Sequence, residues 1–477
     1  MVEVVSVDLC ILGAGAGGLS VAAGASQMGA SVILFERGEM GGDCLNHGCV
    51  PSKALLAAGK ALARQRRDSR YGIVSEAGRV DFDAVKTHIQ GVIDNIAPMD
   101  SIERFEALGV RVVQAPARFV GPRTVEGGDV RVTARRIIVA TGSTPMVPAV
   151  PGLADGPYLT NETIFSICRL PEHLVIMGGG PIGIELAQAF HNLGSMVTVV
   201  EMERIMAKDD PELVDSLREH LVSDGIEILE GVEVKKVTYP DAGGVETTVG
   251  RPEQDTSRKI NGSHLLVAAG RQASMAGLNL EAAGIASTAQ GITVDARLRT
   301  NNRRVYAIGD VAGPYQFTHI AGYHAGIVIR STLFRLPTKV KHGAVPWVTY
   351  SDPELASVGL SEAEAIAKHG NVRVLRWPFE KNDRSQVERD TEGMVKVFVT
   401  SKGRILGATV LGAHAGELIQ IWCLAIQQKL KISAVAGVIL PYPTLSEANK
   451  RAAGSFFTAK LFSDRVRKIV RSLARFG

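Results

Sequence analysis

Cysteine is scarce in this chain: only five of the 477 residues are cysteines, and the number is odd. A disulfide-stapled secreted protein of this size would need many more, so the composition excludes that class. Aromatic residues are also few, at 5%, whereas glycine is abundant with 51 residues. This balance suits an α/β enzyme better than a disordered or fibrous chain. We expect a reducing, cytoplasmic compartment, in which a disulfide is usually catalytic or regulatory.

Long uncharged apolar runs and strong net charge are missing as well. No segment approaches the ~20 residues of a membrane-spanning helix, and no basic region precedes the first apolar run, so we expect neither a transmembrane segment nor a signal peptide. The net charge is +4, but residues 460–477 alone carry +5, so a broad nucleic-acid-binding face is not expected. The tail predicts one amphipathic helix, which either packs on its own domain or contacts a membrane surface or a partner.

A glycine-rich turn follows the first apolar strand pattern. It reads GAGAGG, opens an alanine-rich helical segment, and is followed by a second strand that ends at Glu36, 23 residues after Gly13. In dinucleotide-binding βαβ units, Gly13 would allow the tight turn, Gly15 the approach of a pyrophosphate, and Gly18 close packing of helix on strand. Glu36 could accept hydrogen bonds from a ribose. We predict a dinucleotide site here.

The same pattern recurs later in the chain. The turn GGGPIG contains Gly178, Gly180 and Gly183, and Glu201 ends the next strand, again 23 residues after the first glycine. This repeat predicts a second dinucleotide. An acidic residue at the strand end favours the free 2′-hydroxyl of NAD, whereas Arg204 close by could accommodate the 2′-phosphate of NADP. NAD is the expected cofactor.

Two cysteines, five positions apart, follow the first dinucleotide unit. Cys44 falls in a glycine-rich turn, and Cys49 stands just before Pro51, a residue favoured in the first turn of a helix. A helix N-terminus lowers the pKa of a thiol, and Lys53 shares a helix face with Cys49. Our hypothesis is a redox-active disulfide. The alternatives are metal ligands together with His47, which lack the second cysteine pair of a structural zinc site, or inert reduced thiols.

Taken together, these features resemble the flavin-dependent pyridine nucleotide-disulfide oxidoreductases along the whole chain, and dihydrolipoamide dehydrogenase most of all. Mercuric reductase and glutathione reductase are similar too. The match extends beyond the glycine turns and the cysteine stretch to Thr141-Gly142, Glu185, Gly270-Arg271 and the segment that ends at Asp310.

The resemblance implies an α/β fold with two Rossmann-like domains and a C-terminal α+β dimerisation domain. The predicted boundaries are 1–150 for the first part of the FAD-binding domain, 151–275 for the NAD-binding domain, 276–345 for the second part of the FAD-binding and central region, and 346–477 for the dimerisation domain with its basic helix. The family forms homodimers in which the subunits share each active site.

The resemblance also implies roles for individual residues. FAD would bind at the first glycine turn and the nicotinamide cofactor at the second, with Thr141-Gly142 and Gly270-Arg271 among the cofactor contacts. Cys49 would be the charge-transfer thiolate against the flavin ring, and Cys44 the thiol that meets the substrate. The remaining roles are a Lys53–Glu185 pair near the reactive nitrogen of the flavin and an Asp310 contact to the ribitol chain.

One position departs from the disulfide-reducing members of the family. Where they carry a catalytic histidine, this chain has Tyr442, although the acidic Glu447 is retained. An ordinary tyrosine pKa of ~10 suits proton transfer near neutral pH poorly. Mercuric reductases also have tyrosine there, but they carry a C-terminal cysteine pair, and no cysteine follows Cys423 here. His47 could supply the missing proton or be an ordinary loop side chain.

We therefore predict an FAD-dependent, NAD-preferring oxidoreductase that acts on a small or protein-bound disulfide or dithiol, in the manner of dihydrolipoyl dehydrogenase. The alternatives are reduction of a metal ion, a quinone or another acceptor, and a slow redox-sensing or complex-forming flavoprotein. For two further groups of residues, the simpler interpretation is a role in packing. They are the aromatic and histidine residues Tyr315, His319 and His324, and the cysteines Cys10, Cys168 and Cys423, which we expect to be buried and inert.

Overall fold

The protein is described from a computed structural model that covers residues 2–74, 78–252, 254 and 256–476. Its α-helices, numbered α1 to α15 in chain order, are Ala16–Gln27, Gly42–Asn46, Cys49–Arg67, Phe82–Ile96, Ile102–Ala107, Pro181–Leu193, Pro211–Asp224, Thr318–Thr332, Glu362–His369, Asp383–Glu388, Ala415–Leu418, Gln420–Gln427, Ile432–Ala436, Glu447–Leu461 and Asp464–Leu473.

The strands, numbered β1 to β23 in chain order, are Glu3–Leu12, Val32–Glu36, Val110–Gln114, Ala117–Gly121, Thr124–Gly127, Val130–Val139, Ser143–Pro145, His173–Met177, Met196–Glu201, Glu227–Glu230, Glu233–Thr238, Val245–Gly250, Ser257–Gly262, His264–Val267, Arg271–Ala273, Ser287–Thr288, Gly291–Ile292, Val305–Ala307, Pro346–Thr349, Glu354–Gly359, Val372–Pro378, Met394–Thr400 and Ile405–Gly412.

The chain forms two compact units. The first unit contains Met1–Leu62, Gly78–Met202 and Gly231–Lys341, and the second contains Ala63–Ala77, Glu203–Glu230 and His342–Gly477.

The first unit is built on a sheet whose strands β3, β2, β1, β6 and β18 run parallel, with β5 and β4 antiparallel at the far side of β6. Side chains alternate along β1, as the period of a strand requires. Leu9 and Ile11 pack into a core with α1 and α8. Cys10 and Leu12 pack into the core on the opposite face. Both faces are covered, which explains the nearly continuous apolar run in this strand.

The carboxyl ends of three parallel strands lie at one edge of this sheet. Leu12 of β1 pairs with Val139 of β6, and Val139 pairs in turn with Ala307 of β18. The residues that follow these three strands therefore emerge side by side. This register brings together the first glycine turn, the segment 140–142 and Asp310, which are distant in sequence.

A second parallel arrangement in the first unit repeats this design with β9, β8 and β14. Met177 at the end of β8 pairs with Val200 of β9 and with Val267 of β14. The second glycine turn, Glu201 and the segment 268–271 consequently leave the same edge. This repeat confirms the second Rossmann-like domain.

The second unit contains an antiparallel sheet in the order β19, β20, β23, β22 and β21. Its apolar face packs against helices α12 and α14 in one core. Trp422 is fully buried there, and its indole nitrogen donates to Asn449 Oδ1 at 2.8 Å. Strands and helices are thus segregated along this part of the chain, and the predicted combination of α/β and α+β domains is confirmed.

A buried lysine ties three segments of the second unit together. Lys396 Nζ lies 2.8 Å from carboxylate oxygens of Asp210, Glu212 and Glu362, and its side chain is 2% exposed. Removal of the cation would leave the equally buried Asp210 carboxylate unpaired. We expect Lys396→Met to lower the free energy of unfolding of this unit by about 3–5 kcal/mol. Native-state hydrogen exchange of the β22 amides would measure this loss, and Lys402→Met, at an exposed position, is the matched control.

The basic tail differs from the single helix predicted for it. Helix α14 ends at Leu461, and a separate helix, α15, begins at Asp464 after Ser463, which takes an extended backbone conformation with φ −70° and ψ 152°. A serine at this position favours a new helix start. Among the described residues, no helix combines the length and apolar character needed to cross a membrane.

Candidate active site

The first glycine turn has the geometry of a phosphate-binding turn. Gly13 has a φ of +105°, and a side chain there would come within 2.5 Å of the Ala140 carbonyl oxygen. A Cβ on Gly18 would lie 1.8 Å from the Gly13 carbonyl oxygen, so only glycine lets α1 begin this close to β1. A Cβ on Gly15 would meet nothing within 4 Å. Gly15 thus faces open space at the start of α1, where backbone amides favour an anion.

Glu36 completes this turn. Its Oε2 accepts a hydrogen bond from the Ala14 backbone nitrogen at 2.6 Å. The carboxylate therefore stands beside the helix start, where ribose hydroxyls of a dinucleotide would need an acceptor. No described side chain caps α1, so its first amides stay available for a ligand.

The second glycine turn reproduces these contacts. Gly178 has a φ of +114°, and a Cβ on Gly183 would lie 2.0 Å from the Gly178 carbonyl oxygen. Gly180 faces open space, and Glu201 Oε2 accepts from the Gly179 nitrogen at 2.6 Å. The two turns therefore fit the same kind of ligand, a dinucleotide with its pyrophosphate at the helix start.

The cysteines lie on two consecutive helices. Cys44 is half-buried within the short helix α2, and Cys49 is the exposed first residue of α3. Both are free thiols, and they share a hydrogen bond. This bond, together with burial, raises the pKa of Cys44 well above its ordinary value. The same bond lowers the pKa of Cys49 to about 6, aided by the Thr318 hydroxyl and the charge of Lys53.

Two further groups position the Cys49 sulfur. Thr318 begins helix α8, and its Oγ1 lies 3.6 Å from Cys49 Sγ. Lys53 lies one turn into α3 and forms an ion pair with Glu185 Oε2 at 2.7 Å. Glu185 belongs to α6 and is buried, whereas the Lys53 side chain is 37% exposed. The predicted Lys53–Glu185 pair is thus present, and it places a cation beside the thiolate.

Close packing of α3 on α6 makes this ion pair possible. A Cβ on Gly59 would lie 3.1 Å from the Ala189 carbonyl oxygen and 3.2 Å from Asn192 Cβ. The absence of a side chain at Gly59 lets the two helices approach closely. Lys53 and Glu185, which lie one to two turns earlier on each helix, are thereby brought within reach of each other.

We expect the nucleophilicity of the reduced pair to titrate at an unusually low pH. The Cys49 pKa of about 6 means that the thiolate is present above that pH and is lost as the pH falls through it. Alkylation of Cys49 by iodoacetamide, followed by peptide mass spectrometry, should therefore have its midpoint near 6. In Lys53→Met the midpoint should rise, because a charge that stabilises the thiolate is removed. A midpoint unchanged in that variant would contradict the role of Lys53.

Asp310 lies in a polar network that the sequence did not predict. Its Oδ2 accepts a hydrogen bond from Ser143 Oγ at 2.6 Å, and burial raises its pKa. Arg271 donates to the same Ser143 Oγ at 2.7 Å and forms an ion pair with Asp43 at 3.0 Å. Asn161 Nδ2 also donates to Asp43, at 3.0 Å. Arg271 is therefore tied to the neighbour of Cys44 as well as to the Asp310 edge.

Thr141, Gly142 and Gly270 lie around this network. The Thr141 hydroxyl donates to the Ser274 carbonyl oxygen at 2.7 Å, and Gly142 lies between Thr141 and Ser143. Gly270 directly precedes Arg271, and its carbonyl oxygen accepts from the Met146 nitrogen at 2.9 Å. Ser143 could have been found from the sequence, because it extends the Thr141-Gly142 motif by one residue. Asn161 and Thr318 carry no comparable signal.

Tyr442 belongs to the second unit and is 69% exposed. Its hydroxyl donates to Asp383 Oδ2 at 2.9 Å, and this hydrogen bond and the nearby negative charges raise its pKa above that of an ordinary tyrosine. Glu447 is the first residue of α14. The phenol is therefore a weaker acid than a free tyrosine and stays protonated near neutral pH.

The remaining candidates have mixed outcomes. His324 is buried, and its Nδ1 accepts from the Gly309 nitrogen at 3.2 Å, whereas His319 stacks on the Phe317 ring. The backbone carbonyl of His47 accepts from Asn161.

Cys10 is buried as predicted, but Cys168 is exposed and Cys423 only half-buried, so the prediction of burial was wrong for Cys168. Arg169 follows that cysteine directly, and Pro171 lies three residues after it.

Family comparisons agree with this arrangement along the chain. Residues 7–325 match the pyridine nucleotide-disulphide oxidoreductase family, and residues 345–453 match the dimerisation domain of the same family. The mercuric reductase of Streptomyces lividans is 35% identical over 457 residues, which cover 94% of this chain and 96% of that protein. The dihydrolipoyl dehydrogenase of Bacillus subtilis is 31% identical over 450 residues, which cover 92% of this chain and 96% of that protein.

A solved structure with the same architecture is the Cu(II) complex of the HOCl-induced flavoprotein disulfide reductase RclA from Escherichia coli. It superposes with a TM-score of 0.84 at 26% sequence identity, covering 93% of this chain and 99% of that chain. Both dinucleotide turns, the cysteine pair and the dimerisation domain thus lie within matched regions. The chain belongs to the pyridine nucleotide-disulfide oxidoreductases, the flavoenzymes that bind FAD and use NAD(P).

Proposed function

We propose that this flavoenzyme uses NADH to reduce the Cys44–Cys49 disulfide, and that the resulting dithiol reduces a small or protein-bound disulfide. When bound, FAD would supply the relay of an electron pair from the nicotinamide to the disulfide. The observation that carries the proposal is the unequal pair of thiols, with the pKa of Cys49 lowered to about 6 and that of Cys44 raised. The reduced pair therefore holds one proton at neutral pH.

The residues around the two turns divide into two cofactor sites under this proposal. FAD would be held by the first glycine turn with Glu36, by Thr141-Gly142 and by Asp310. The nicotinamide cofactor would be held by the second turn with Glu201 and by Gly270. Arg271 would act as a positioning residue, because its ion pair with Asp43 fixes the turn next to Cys44.

The exchange step begins with deprotonation of Cys44, and the base hydrogen-bonded to it is the Cys49 thiolate. Cys44 passes its proton to the Cys49 thiolate and attacks one sulfur of the substrate disulfide. The substrate S–S bond breaks, a mixed disulfide forms at Cys44, and one thiolate leaves. Cys49 gives its proton to that thiolate and attacks the Cys44 sulfur. The Cys44–Cys49 bond re-forms, and the second substrate thiolate leaves and takes a proton from solvent.

Tyr442 is poorly suited to the oxidation of dihydrolipoamide. Oxidation of a dithiol requires a base that removes a proton from the substrate thiol, whereas disulfide reduction requires an acid. Because the pKa of Tyr442 is raised, the phenol stays protonated near neutral pH and cannot accept that proton, and it is also a weak proton donor. We therefore expect slow dihydrolipoyl dehydrogenase turnover, although the chain resembles those enzymes.

Reduction of a thiophilic metal ion is the second candidate. Mercuric reductases resemble this chain in having a tyrosine at the position of Tyr442, and a thiolate pair binds soft metal ions. Reduction of such an ion transfers electrons without protonating a thiolate leaving group, so it has less need of the missing histidine. The similar mercuric reductase and the similar Cu(II) complex give the classes of ion to test.

Steady-state oxidation of NADH by the purified enzyme tests these proposals. The panel of acceptors is lipoamide, glutathione disulfide, an aromatic disulfide, Hg(II), Cu(II) and a quinone. Fast turnover with a disulfide that Cys44→Ser abolishes and Cys168→Ser leaves intact would support the first proposal. Fast turnover with only a metal ion, and with the same dependence on Cys44, would favour the second. Fast turnover that survives Cys44→Ser would contradict both, since electrons would then leave from the flavin itself.

NAD is the proposed nicotinamide cofactor. Arg204 forms an ion pair with Asp215 and donates to the Pro211 carbonyl oxygen at 2.9 Å. A 2′-phosphate would need the Arg204 guanidinium, but these contacts already occupy it. Glu201 would also repel the phosphate. We expect kcat/KM for NADH to exceed that for NADPH by about tenfold or more, and the gap to narrow in Glu201→Gln. Equal values for both cofactors in the wild type would contradict this preference.

We also propose a homodimer in the cytoplasm. The match of residues 345–453 to the family's dimerisation domain supports this oligomeric state. Tyr442 and Glu447 lie within that domain, so a second subunit could supply them to the cysteines. Light scattering during size-exclusion chromatography should give twice the chain mass of 50.8 kDa.

A further inference from the structure

Helix α15 and its flanks expose a set of large apolar side chains. Along α15 itself, Ile469, Val470 and Leu473 are 49%, 57% and 63% exposed, and no residue of the helix is buried. The flanking residues are exposed as well: Leu461 by 57%, Phe462 by 66% and Phe476 by 86%. This concentration of exposed apolar surface at one place marks a contact site rather than scattered surface residues.

The apolar and basic residues of α15 occupy different faces. Val466, Ile469, Val470 and Leu473 follow the spacing of one helix face. The opposite face and both flanks carry the basic residues Arg465, Arg467, Lys468, Arg471 and Arg475. Asp464 is the one acidic residue of the segment 460–477, whose net charge is +5.

The core of the second unit is complete without this helix. Helix α14 contributes Ala448, Ala452 and Ala453 to that core, and Phe456 and Phe457 pack against it. Within the described part of the chain, no α15 residue belongs to this or another core cluster. The expectation that the tail packs on its own domain therefore finds no support in the contacts, and the apolar face is left for another surface.

We propose that α15 is a peripheral anchor that lies on the surface of an anionic lipid bilayer. Its apolar stripe would enter the boundary between headgroups and acyl chains, and the basic residues bordering the stripe would face the anionic headgroups. Arg465 and Arg467 border the stripe on either side, and their long side chains can reach the headgroup level while their stems stay in the apolar layer.

The charge distribution favours a membrane over other surfaces. Positive charge borders the apolar stripe on both sides, which suits a broad, flat anionic surface. A second copy of the same helix is disfavoured, because two segments of +5 would repel each other.

Vesicle flotation with the full-length, FAD-loaded enzyme tests this proposal. The wild type should float with vesicles of phosphatidylcholine mixed with phosphatidylglycerol and stay in the soluble fraction with phosphatidylcholine alone. Arg465→Glu/Arg467→Glu should weaken partitioning by roughly fivefold or more for each residue changed. Lys368→Glu/Lys402→Glu makes the same change in net charge at exposed positions outside the tail and should bind like the wild type. Salt at ~0.5 M should weaken binding, because it screens surface charge.

The apolar face needs a variant of its own. Val470→Asp/Leu473→Asp should abolish flotation, while FAD content and NADH oxidation remain those of the wild type. Failure of the wild type to float with anionic vesicles would overturn the proposal. It would also be overturned if this variant changed the oligomeric mass in solution, because the face would then cover a second copy. Equal loss of binding in the Lys368/Lys402 control would overturn it as well, since net charge rather than the helix would then determine binding.

Discussion

Replacement of Cys49 with serine is expected to abolish the long-wavelength absorption band of the two-electron-reduced enzyme and to leave FAD bound. Such a band requires a thiolate in contact with the oxidised flavin, and Cys49 is the cysteine whose pKa is lowered, to about 6. A hydroxyl at this position would stay protonated at neutral pH and could not donate charge in this way. Anaerobic titration with dithionite, followed between the visible and the near infrared, measures the band.

Two variants make this result specific. Cys44→Ser should keep the band, even before reduction, because Cys49 is then a permanent thiol. The pH at which the band reaches half its full intensity should lie above that of the wild type, because the hydrogen bond from Cys44 contributes most to the low pKa of Cys49. Cys168→Ser should behave like the wild type. Complete bleaching of the wild-type flavin with no long-wavelength band would show that the disulfide lies outside the electron path.

Alanine at Gly18 and alanine at Gly183 are expected to separate the two cofactors. The Gly18 Cβ would lie 1.8 Å from a backbone oxygen, and the Gly183 Cβ would lie 2.0 Å from the corresponding one. Backbone atoms cannot move aside as a flexible side chain can, so each turn would be displaced. Gly18→Ala should weaken FAD binding by about tenfold or more. Gly183→Ala should keep FAD and its dithionite reduction, but lose reduction by NADH to a similar degree.

Absorbance of the purified protein at 450 nm relative to 280 nm gives the FAD content, and stopped-flow reduction by NADH gives the second effect. Gly326→Ala is the matched control, because a Cβ there would meet nothing within 4 Å. Circular dichroism should show that Gly18→Ala still folds. If Gly183→Ala lost FAD and Gly18→Ala kept it, the assignment of the two turns would be reversed.

The sequence was sufficient to predict the architecture around the two turns, for physical reasons. Gly13 and Gly178 occupy left-handed backbone regions that favour glycine, and an acidic residue ends each second strand. These constraints are local, so they leave a readable pattern. The fold class, the cofactor types and the family follow from that pattern and are confirmed. The individual roles of the site residues and the domain boundaries stay predictions.

Contacts between distant segments could not be predicted in the same way. The bonds that join Asp43, Ser143, Arg271 and Asp310 depend on which strand ends meet at one sheet edge, and a single sequence does not specify that register. Thr318 is another example, since its place beside Cys49 depends on where α8 begins. The tail was predicted as one helix because its apolar spacing continues across residues 462–463, where the backbone nevertheless turns.

The single proton shared by the reduced cysteines sets how the electrode potential of the enzyme varies with pH. Reduction of a disulfide to two thiols consumes two protons, and the potential then falls by ~59 mV per pH unit. Above the Cys49 pKa of about 6 only one proton is consumed, and the slope is halved to ~30 mV. The nicotinamide couple also takes up one proton with its two electrons and has the same slope. The driving force from NADH to the cysteine pair is therefore independent of pH across the neutral range.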